Sequence, residues 1–311
     1  MWVSVMNYEK INSERAVKIC AHLAASARAH RLENKTMETH ASLFSRCADL
    51  IHQADGLLIT AGAGMGVDSG LPDFRGTEGF WRAYPALALS QIRFEEIASP
   101  SSFETSPAQA WGFYGHRLML YRQTVPHEGF RILRDIASML PHGAFVFTSN
   151  VDGQFQKAGF SPNQVCEVHG SIHHLQCQHG CLNDIWDATN FSPELDESNC
   201  LLTSPFPTCP YCDDIARPNI LMFGDWKWIG ERKEQQRARL DAWLGKVRRV
   251  LTIEIGAGTH IPTVRHMSEL QQGPLIRINP TEPAVPSDSD SDIELEMGGL
   301  AALREIRNAM R

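Results

Sequence analysis

The sequence predicts an α/β fold with a doubly wound, mostly parallel sheet. Four apolar runs have the composition of buried strands, and they read GLLIT, AFVFT, VLTIEI and PLIRI. Helix-like segments separate them along the chain, and strands that alternate with helices are typical of a parallel sheet covered by helices. Three of the runs end in glycine-rich or polar turns, so we expect a ligand site where these strands end.

The composition is that of a large globular domain. The chain has 311 residues, of which 43% are hydrophobic, enough for one large domain or one large and one small domain. Its 29 basic and 36 acidic side chains give a net charge of −7, which argues against a general nucleic-acid-binding protein. No apolar run approaches the length of a membrane span, and the N-terminus lacks the order of a signal peptide. We therefore expect a soluble cytoplasmic protein.

The pattern of segments predicts three parts. Residues 1–50 are expected to form an N-terminal helical segment that packs on the main domain, because helical spacing runs through AVKICAHLAASARAH and HASLFSRCADLIHQA. Residues 51–165 and 225–311 are expected to form the main sheet domain. Residues 166–224, which hold close pairs of cysteines, are expected to form a smaller module. Residues 281–296 are rich in Pro, Ser and Asp and predict a flexible surface loop before a final helix.

A glycine-rich turn follows the first predicted strand. Gly62, Gly64 and Gly66 precede a polar segment, and glycines at such a place let backbone N–H groups approach a pyrophosphate. A second turn, IGAGT at residues 255–259, follows the third strand, as a two-halved dinucleotide site requires. The acidic residue expected about 20 positions after the first turn of a hydride-transfer enzyme is absent. The alternative for the first turn taken alone is a tight surface turn.

Polar side chains follow the second strand in TSNVDGQFQKAG. Ser149, Asn150 and Asp152 stand at the strand end, where ligands bind in open α/β sheets. His169, in EVHGS, is a candidate general base, because the usual histidine pKa of about 6.5 suits proton transfer near neutral pH. Helix capping is the alternative for Asn150 and Asp152, and a structural role is the alternative for His169.

Four of the eight cysteines form two close pairs. Three residues separate Cys177 from Cys181, and two separate Cys209 from Cys212. Four thiolates at this spacing predict a tetrahedral structural zinc site, whereas disulfides are the weaker interpretation for this long chain. The alternatives are four unrelated cysteines and a zinc ribbon that binds nucleic acid, which the acidic surroundings disfavour. The nearby residues that could replace one of the four ligands are His173, His174, His179 and Cys200.

Taken in order, these motifs resemble the sirtuins, the NAD-dependent protein deacylases. The resemblance runs from about residue 56 to 279 and also includes GAGMGVDSGLPDFRG, VHGSIHHLQC, RPNILMFGD and IRIN. It implies cleavage of the nicotinamide–ribose bond of NAD and transfer of an acyl group from lysine to ADP-ribose. It makes His169 the general base and puts Asn150 and Asp152 in the nicotinamide pocket as catalytic residues. The NAD-binding residues that it implies are Gly62, Ala63, Gly64, Asp73, Phe74, Arg75, Ser149, Asn150, Asp152, Gly256, Gly258, Thr259 and Asn279.

The chain departs from the usual sirtuin pattern at several of these positions. Ser149 stands where the family usually carries a glutamine that reaches toward the ribose. Gly66 replaces a frequent serine, and the GAG at residues 256–258 replaces the usual Gly-Thr-Ser, with Thr259 as a candidate source of the lost hydroxyl. These changes bear on rate and cofactor affinity and indicate a divergent branch. Mono-ADP-ribosyl transfer, NAD hydrolysis and NAD binding without turnover are the alternative functions.

Substrate binding is predicted at two segments. Tyr114 and Arg117 in WGFYGHRLMLYR lie on one face of a helix, and sirtuins that remove malonyl and succinyl groups bind the acyl carboxylate with a Tyr-x-x-Arg pair in this region. An ordinary exposed helix surface is the alternative. Met222, Phe223 and Gly224 in PNILMFGD resemble the edge to which an acyl-lysine protein adds as an extended peptide.

Overall fold

The computed structural model describes residues 40–73, 76–285, 289 and 291–311. The chain divides into two compact units, residues 1–46 and 47–311, and the second contains every strand described below. The helices expected before residue 40 lie outside the described residues. The second predicted N-terminal helix is confirmed as α1 (His40–Gln53).

A six-stranded sheet forms the centre of the second unit, and all of its strand pairs are parallel. The predicted α/β class and the four predicted strands are therefore confirmed. Side chains on both faces of the central strands are buried, as in sheets covered by helices on both sides. In spatial order the strands are β11 (Ile293–Leu295), β10 (Leu275–Ile278), β9 (Val250–Ile255), β1 (Gly56–Ala61), β2 (Ala144–Thr148) and β3 (Val165–Glu167).

The strand order reverses between β1 and β9. From β1 the chain adds β2 and β3 on one side of the sheet, and β9, β10 and β11 occupy the other side. The loops that follow β1 and β9 therefore leave the same edge of the sheet in different directions. A crevice at such a switch point is where open α/β sheets bind ligands.

A smaller antiparallel sheet lies in the chain between β3 and β9. Its order is β5 (Ile185–Asp187), β4 (Gly170–Cys177) and β8 (Ala216–Ile220). A separate two-stranded pair, β6 (Leu195–Asp196) and β7 (Leu201–Leu202), accompanies it. The domain boundaries given above stay predictions.

Helices fill the connections, and three of those described begin with proline at their first residue, where a missing N–H costs no hydrogen bond. No helix within the described ranges is long and apolar enough to cross a membrane. The remaining helices are α2 (Gly76–Ala83), α3 (Pro85–Leu89), α4 (Phe94–Ile97), α5 (Pro100–Thr105), α6 (Pro107–Gln123), α7 (Glu128–Met139), α8 (Gln154–Lys157), α9 (Glu231–Leu244), α10 (Thr263–Glu269) and α11 (Gly299–Ala309).

The long helix α6 is buried on nearly all sides. Trp111 and Phe113 belong to the apolar cluster that also contains Leu202 and Ala216 of the smaller sheet region. Arg117 is only 9% exposed, so the alternative of an exposed helix surface is wrong. The helix therefore places Tyr114, Arg117 and Tyr121 in the interior of the protein.

The prediction of a loop over residues 281–296 is wrong for its last part. Ile293 and Leu295 are buried, Glu294 lies between them, and the three residues form β11 beside β10. The alternation of buried and partly exposed side chains is the strand pattern. Leu275 N–H donates to the Asp292 carboxylate at 2.9 Å, which fixes the start of the strand.

Candidate active site

Two glycine turns meet backbone to backbone at the switch point. A Cβ atom on Gly64 would lie 2.6 Å from the Cα of Gly256, and one on Gly256 would lie 2.4 Å from the Cα of Gly64. Gly64 N–H donates to Gly256 O at 3.0 Å, and Gly256 has φ 62°, a conformation that favours glycine. The loops after β1 and β9 can approach this closely only because neither residue carries a side chain.

A cavity of about 740 Å³ opens beside these turns, which lies within the range of cofactor and substrate sites. Its wall also includes the chain after β2, helix α6 and the segment after β8. The structure therefore brings most of the predicted site residues together. Those that line the cavity are Gly62, Ala63, Gly64, Asp73, Tyr114, Arg117, Ser149, Asn150, Asp152, His169, Met222, Phe223, Gly256 and Gly258.

Three predicted residues in the described part of the chain do not line the cavity. Two others, Phe74 and Arg75, lie outside the described residues. Thr259 donates its hydroxyl to Glu282 at 2.6 Å, and Gly224 forms a turn after β8 with φ 67°. The contact of these residues with a ligand stays a prediction.

Asn279, the third described residue that is not in the wall, supports the loop after β9 from behind. Its buried side chain donates to Ala257 O at 2.9 Å and accepts hydrogen bonds from the N–H groups of Thr281 and Glu282, each at 3.1 Å. It thereby joins the cavity-lining residue Ala257 to the chain after β10. Its predicted role as an NAD contact stays a prediction.

The chain after β2 is fixed against the chain after β1. Thr148 donates its hydroxyl to Ala61 O at 2.9 Å, and Asn150 donates its side-chain amide to Gly62 O at 2.9 Å. Asp152, and not Asn150, accepts from the backbone N–H of Gln154, at 2.9 Å. Neither residue is the N-cap of α8, which is Gly153; Asp152 supports the start of that helix from one residue earlier, while Asn150 connects the chain after β2 to the turn after β1.

Asp152 is a buried carboxyl at the cavity wall. Burial, reinforced by the negative charge of Glu167 and opposed by the Gln154 hydrogen bond, raises the pKa of Asp152 to about 6. The ring Nε2 of His173 lies 3.0 Å from the Asp152 carbonyl oxygen and fixes the backbone at this residue. A carboxyl whose pKa is raised in a cavity is a candidate functional group.

His169 follows β3 and lines the same cavity as Asp152. Burial lowers the pKa of His169 below the usual histidine value, so the imidazole is neutral near pH 7 and can accept a proton. Its backbone carbonyl accepts the Leu221 N–H at 2.9 Å. That bond joins the candidate base to the segment after β8.

The segment after β8 presents apolar side chains beside the cavity. Leu221 is 39% exposed and Phe223 36% exposed, although both line the cavity. The turn that follows is held by Arg217, which binds both carboxylate oxygens of Asp225 at 2.8 Å inside the protein. The segment follows β8, which is an end strand of the smaller sheet.

The far wall of the cavity contains a buried guanidinium. Arg117 donates from Nε and Nη2 to the hydroxyl oxygen of Tyr121, at 3.0 and 2.7 Å. Tyr114, one turn earlier, is stacked on Phe103 with ring centroids 5.6 Å apart. Tyr121 also lines the cavity and was not predicted, although its i, i+4 spacing from Arg117 was a usable signal.

The four paired cysteines converge at one point. Their sulfur atoms all lie within 4.8 Å of one another, with 3.7 Å between Cys177 and Cys212 and 3.5 Å between Cys181 and Cys209. Four sulfurs at about 2.3 Å from a zinc ion would be separated by about 3.8 Å, so the cluster fits tetrahedral Zn²⁺.

Two of the four alternative ligands have other partners. His179 pairs with Asp214 at 2.8 Å, and His173 contacts the Asp152 carbonyl. The backbone of Cys200 lies against α6, where a Cβ on Gly112 would be 2.1 Å from its carbonyl oxygen. Among the residues that the structure describes, His174 and Cys200 do not join the cluster, which consists of Cys177, Cys181, Cys209 and Cys212.

Comparison with known sequences identifies similar proteins. The model of the Sir2 family matches residues 62–238. The NAD-dependent protein deacylase of Aquifex aeolicus is 31% identical over 169 residues, which are 54% of this chain and 62% of that protein. The deacylase of Pyrococcus furiosus is 32% identical over 164 residues, 53% of this chain and 59% of that protein. The chain thus spans about six tenths of the length of these relatives.

Solved structures agree with this match at the level of the fold. A Sir2 homologue in complex with NAD has a TM-score of 0.62 and 22% identity, covering 85% of this chain and 94% of that one. A Sir2–p53 peptide–NAD⁺ structure has a TM-score of 0.62 and 20% identity, covering 84% and 95% of the two chains. The match to the family model covers more than half of the 311 residues.

Proposed function

Because the chain belongs to the Sir2 family, we propose that it is an NAD-dependent protein lysine deacylase. The proposed reaction releases nicotinamide from NAD and transfers the acyl group of a modified lysine to the ADP-ribose. The observation that carries this proposal is the grouping of Asn150, Asp152 and His169 around one cavity bordered by two glycine turns. The relatives from Aquifex and Pyrococcus bear the name of this activity.

NAD fits the cavity on its diphosphate side. The close approach of Gly64 and Gly256 removes side chains from that part of the wall, so backbone groups can meet a pyrophosphate. NAD supplies the ribose carbon that loses nicotinamide and receives the acyl oxygen. Gly62, Gly64 and Gly256 would hold its phosphates, and Asp152 would bind the nicotinamide carboxamide.

The protein contributes orientation and proton transfer. The amide of Asn150 is bonded to Gly62 O, so it keeps the nicotinamide side of the wall aligned with the glycine turn. His169, neutral because burial lowers its pKa, would take the proton of a ribose hydroxyl as that oxygen attacks the acyl carbon. Substitution of Asn150 tests the first role, and substitution of His169 tests the second.

An acyl-lysine peptide is the proposed partner. Its backbone would lie in extended form beside residues 221–224, with the lysine side chain between Met222 and His169. The anchoring of the turn through Arg217 and Asp225 supports this role, because a fixed edge loses little entropy on binding. Neither nucleic acid nor a membrane has a role in the proposed reaction, and the cytoplasmic location stays a prediction.

Acidic acyl groups are the proposed preferred substrates. Arg117 is buried and lines the cavity. The rings of Phe113 and Tyr114 lie beside its guanidinium and do not neutralise the positive charge. A succinyl or malonyl carboxylate can form hydrogen bonds with the guanidinium fork, whereas an acetyl group has no carboxylate to offer it. Acetyl-lysine remains a second substrate of the same site.

The four cysteines would hold a structural zinc ion. Four thiolate ligands complete a tetrahedral site and leave no position for water, so the ion would stabilise the smaller sheet without entering the reaction. The cluster is formed from the ends of β4 and the chain before β8, which it would join.

ADP-ribosyl transfer or NAD hydrolysis is the second candidate function. Ser149 lines the cavity where sirtuins usually carry the longer glutamine, and a changed contact with the ribose would favour another acceptor. This alternative uses the same NAD pocket and needs no acyl-lysine.

Nicotinamide release measured with three samples separates these functions. Matched peptides that carry acetyl-lysine or succinyl-lysine are compared with a sample that lacks peptide. Release that depends on acyl-lysine, and is faster with succinyl-lysine, supports the proposal. Equal release in the absence of peptide would contradict it and favour NAD hydrolysis.

A further inference from the structure

We propose that Tyr121 is a positioning residue for acyl selectivity, because its phenol oxygen fixes the Arg117 guanidinium in the wall of the cavity. This inference rests on the proposed function and deepens it, since it names the residue that orients the carboxylate-binding group. The two residues lie one turn apart on α6, and both line the cavity.

The hydrogen bonds define the orientation of the guanidinium. Nε and Nη2 form one edge of the planar group, and both donate to the same Tyr121 oxygen, at 3.0 and 2.7 Å. Two bonds to one acceptor prevent rotation of the group about its terminal bonds. The opposite edge, which carries Nη1, therefore has a fixed direction that Tyr121 sets.

Aromatic rings hold the same guanidinium from its sides. The Cζ atom of Arg117 lies 5.2 Å from the ring centre of Phe113, 5.8 Å from that of Tyr114 and 5.4 Å from that of Tyr121. Such contacts attract a cation without neutralising its charge. The guanidinium is thus held in place while it keeps the charge that an acidic acyl group requires.

Tyr121 is itself anchored to the nicotinamide side of the cavity. Its backbone carbonyl accepts a hydrogen bond from the side chain of Gln154 at 3.1 Å, and the Gln154 N–H donates to Asp152 at 2.9 Å. Gln154 therefore connects Tyr121, which holds the guanidinium, to Asp152, the proposed nicotinamide contact. Because the carbonyl makes this connection, removal of the phenol oxygen leaves it unchanged.

The substitution Tyr121→Phe tests the role of that oxygen alone. We expect KM and Kd for a succinyl-lysine peptide to rise roughly 10-fold or more, since hydrogen bonds to charged groups are among the stronger ones. The values for acetyl- and butyryl-lysine peptides should change less than about 3-fold, because neutral acyl groups do not need the guanidinium. A fixed kcat with succinyl-lysine is also expected, because the effect is on binding.

Tyr84→Phe is the matched control. Tyr84 is 5% exposed, as is Tyr121, and its hydroxyl bonds to His116 Nδ1 at 3.0 Å in the same apolar cluster. It is not among the residues that line the cavity. Loss of its hydroxyl should leave the ratio of succinyl to butyryl affinity unchanged.

Steady-state kinetics give KM and kcat for the three peptides, and calorimetric titration gives their Kd. Equal losses for all peptides, or no loss with succinyl-lysine, would refute the positioning role. A wild-type protein that deacylates acetyl-lysine without favouring succinyl-lysine would refute acidic-acyl recognition and this inference together, leaving the deacylase intact. If no acyl-dependent nicotinamide release occurs, the deacylase proposal fails, and the Kd ratios still decide the role of Tyr121.

Discussion

Replacing Gly64 by alanine should damage both the fold and NAD binding. The new Cβ would lie 2.6 Å from Gly256 Cα and 3.0 Å from Gly256 O, where ordinary contacts are 3.4–4 Å. The two turns must therefore separate by about 1 Å, at an overpacking cost of about 1–3 kcal/mol. The bond from Gly64 N–H to Gly256 O would be strained as well, adding about 1 kcal/mol.

The sum predicts a loss of about 2–4 kcal/mol in the free energy of unfolding. Gly298→Ala is the matched control, because its Cβ would lie no closer than 3.8 Å to any neighbour, the Asp68 carboxylate, and the residue does not line the cavity. Urea denaturation measures stability, and calorimetry measures NAD affinity, which should fall at least 10-fold in Gly64→Ala. A Gly64→Ala protein with the stability and NAD affinity of the control would refute the close approach of the two turns.

Three further predictions follow from buried charges and thiols. In the wild type, the free energy of unfolding should fall by roughly 3 kcal/mol as the pH rises from 4 to 6, because the folded protein holds a proton on Asp152 more tightly, with the pKa raised from 3.8 to about 6. Asp152→Asn should remove this fall. Urea denaturation that shows the same pH dependence for both proteins would contradict this. Asp225→Asn should cost about 3–5 kcal/mol in unfolding free energy by leaving Arg217 buried without its counter-charge, and an unchanged melting temperature would be the opposing result. Cys209→Ser should abolish stoichiometric zinc in elemental analysis and lower the melting temperature, whereas Cys200→Ser should retain the metal; equal zinc in both would contradict the four-cysteine site.

The main strands could be predicted because their signal is local. The runs that form β1, β2, β9 and β10 are apolar throughout and buried, and glycine or polar turns mark several of their ends. Strand β11 escaped prediction because its three residues stand among acidic and serine residues. Only its pairing with β10 reveals that Ile293 and Leu295 face the core.

Site residues could be predicted where they stand in a turn at the end of a strand. They could be predicted less well on a helix, where the packing of the fold determines which side chains face the cavity. Asn150 and Asp152 follow a strand end, so their place at the cavity could be inferred from the chain. Tyr121 lies on a helix whose buried sides the sequence could not identify, because α6 is surrounded by apolar neighbours and has no clear polar face. Its hydrogen bonds with Arg117 are therefore a finding of the structure.

The central claim is that NAD cleavage is coupled to removal of an acyl group. The most direct measurement is mass spectrometry of the products formed from NAD and a succinyl-lysine peptide, together with the ratio of nicotinamide released to lysine freed. We expect one nicotinamide per deacylated lysine, with O-acyl-ADP-ribose as the third product, and no acyl transfer by His169→Ala. Free ADP-ribose formed without loss of the acyl group, or ADP-ribose attached to protein, would contradict the account.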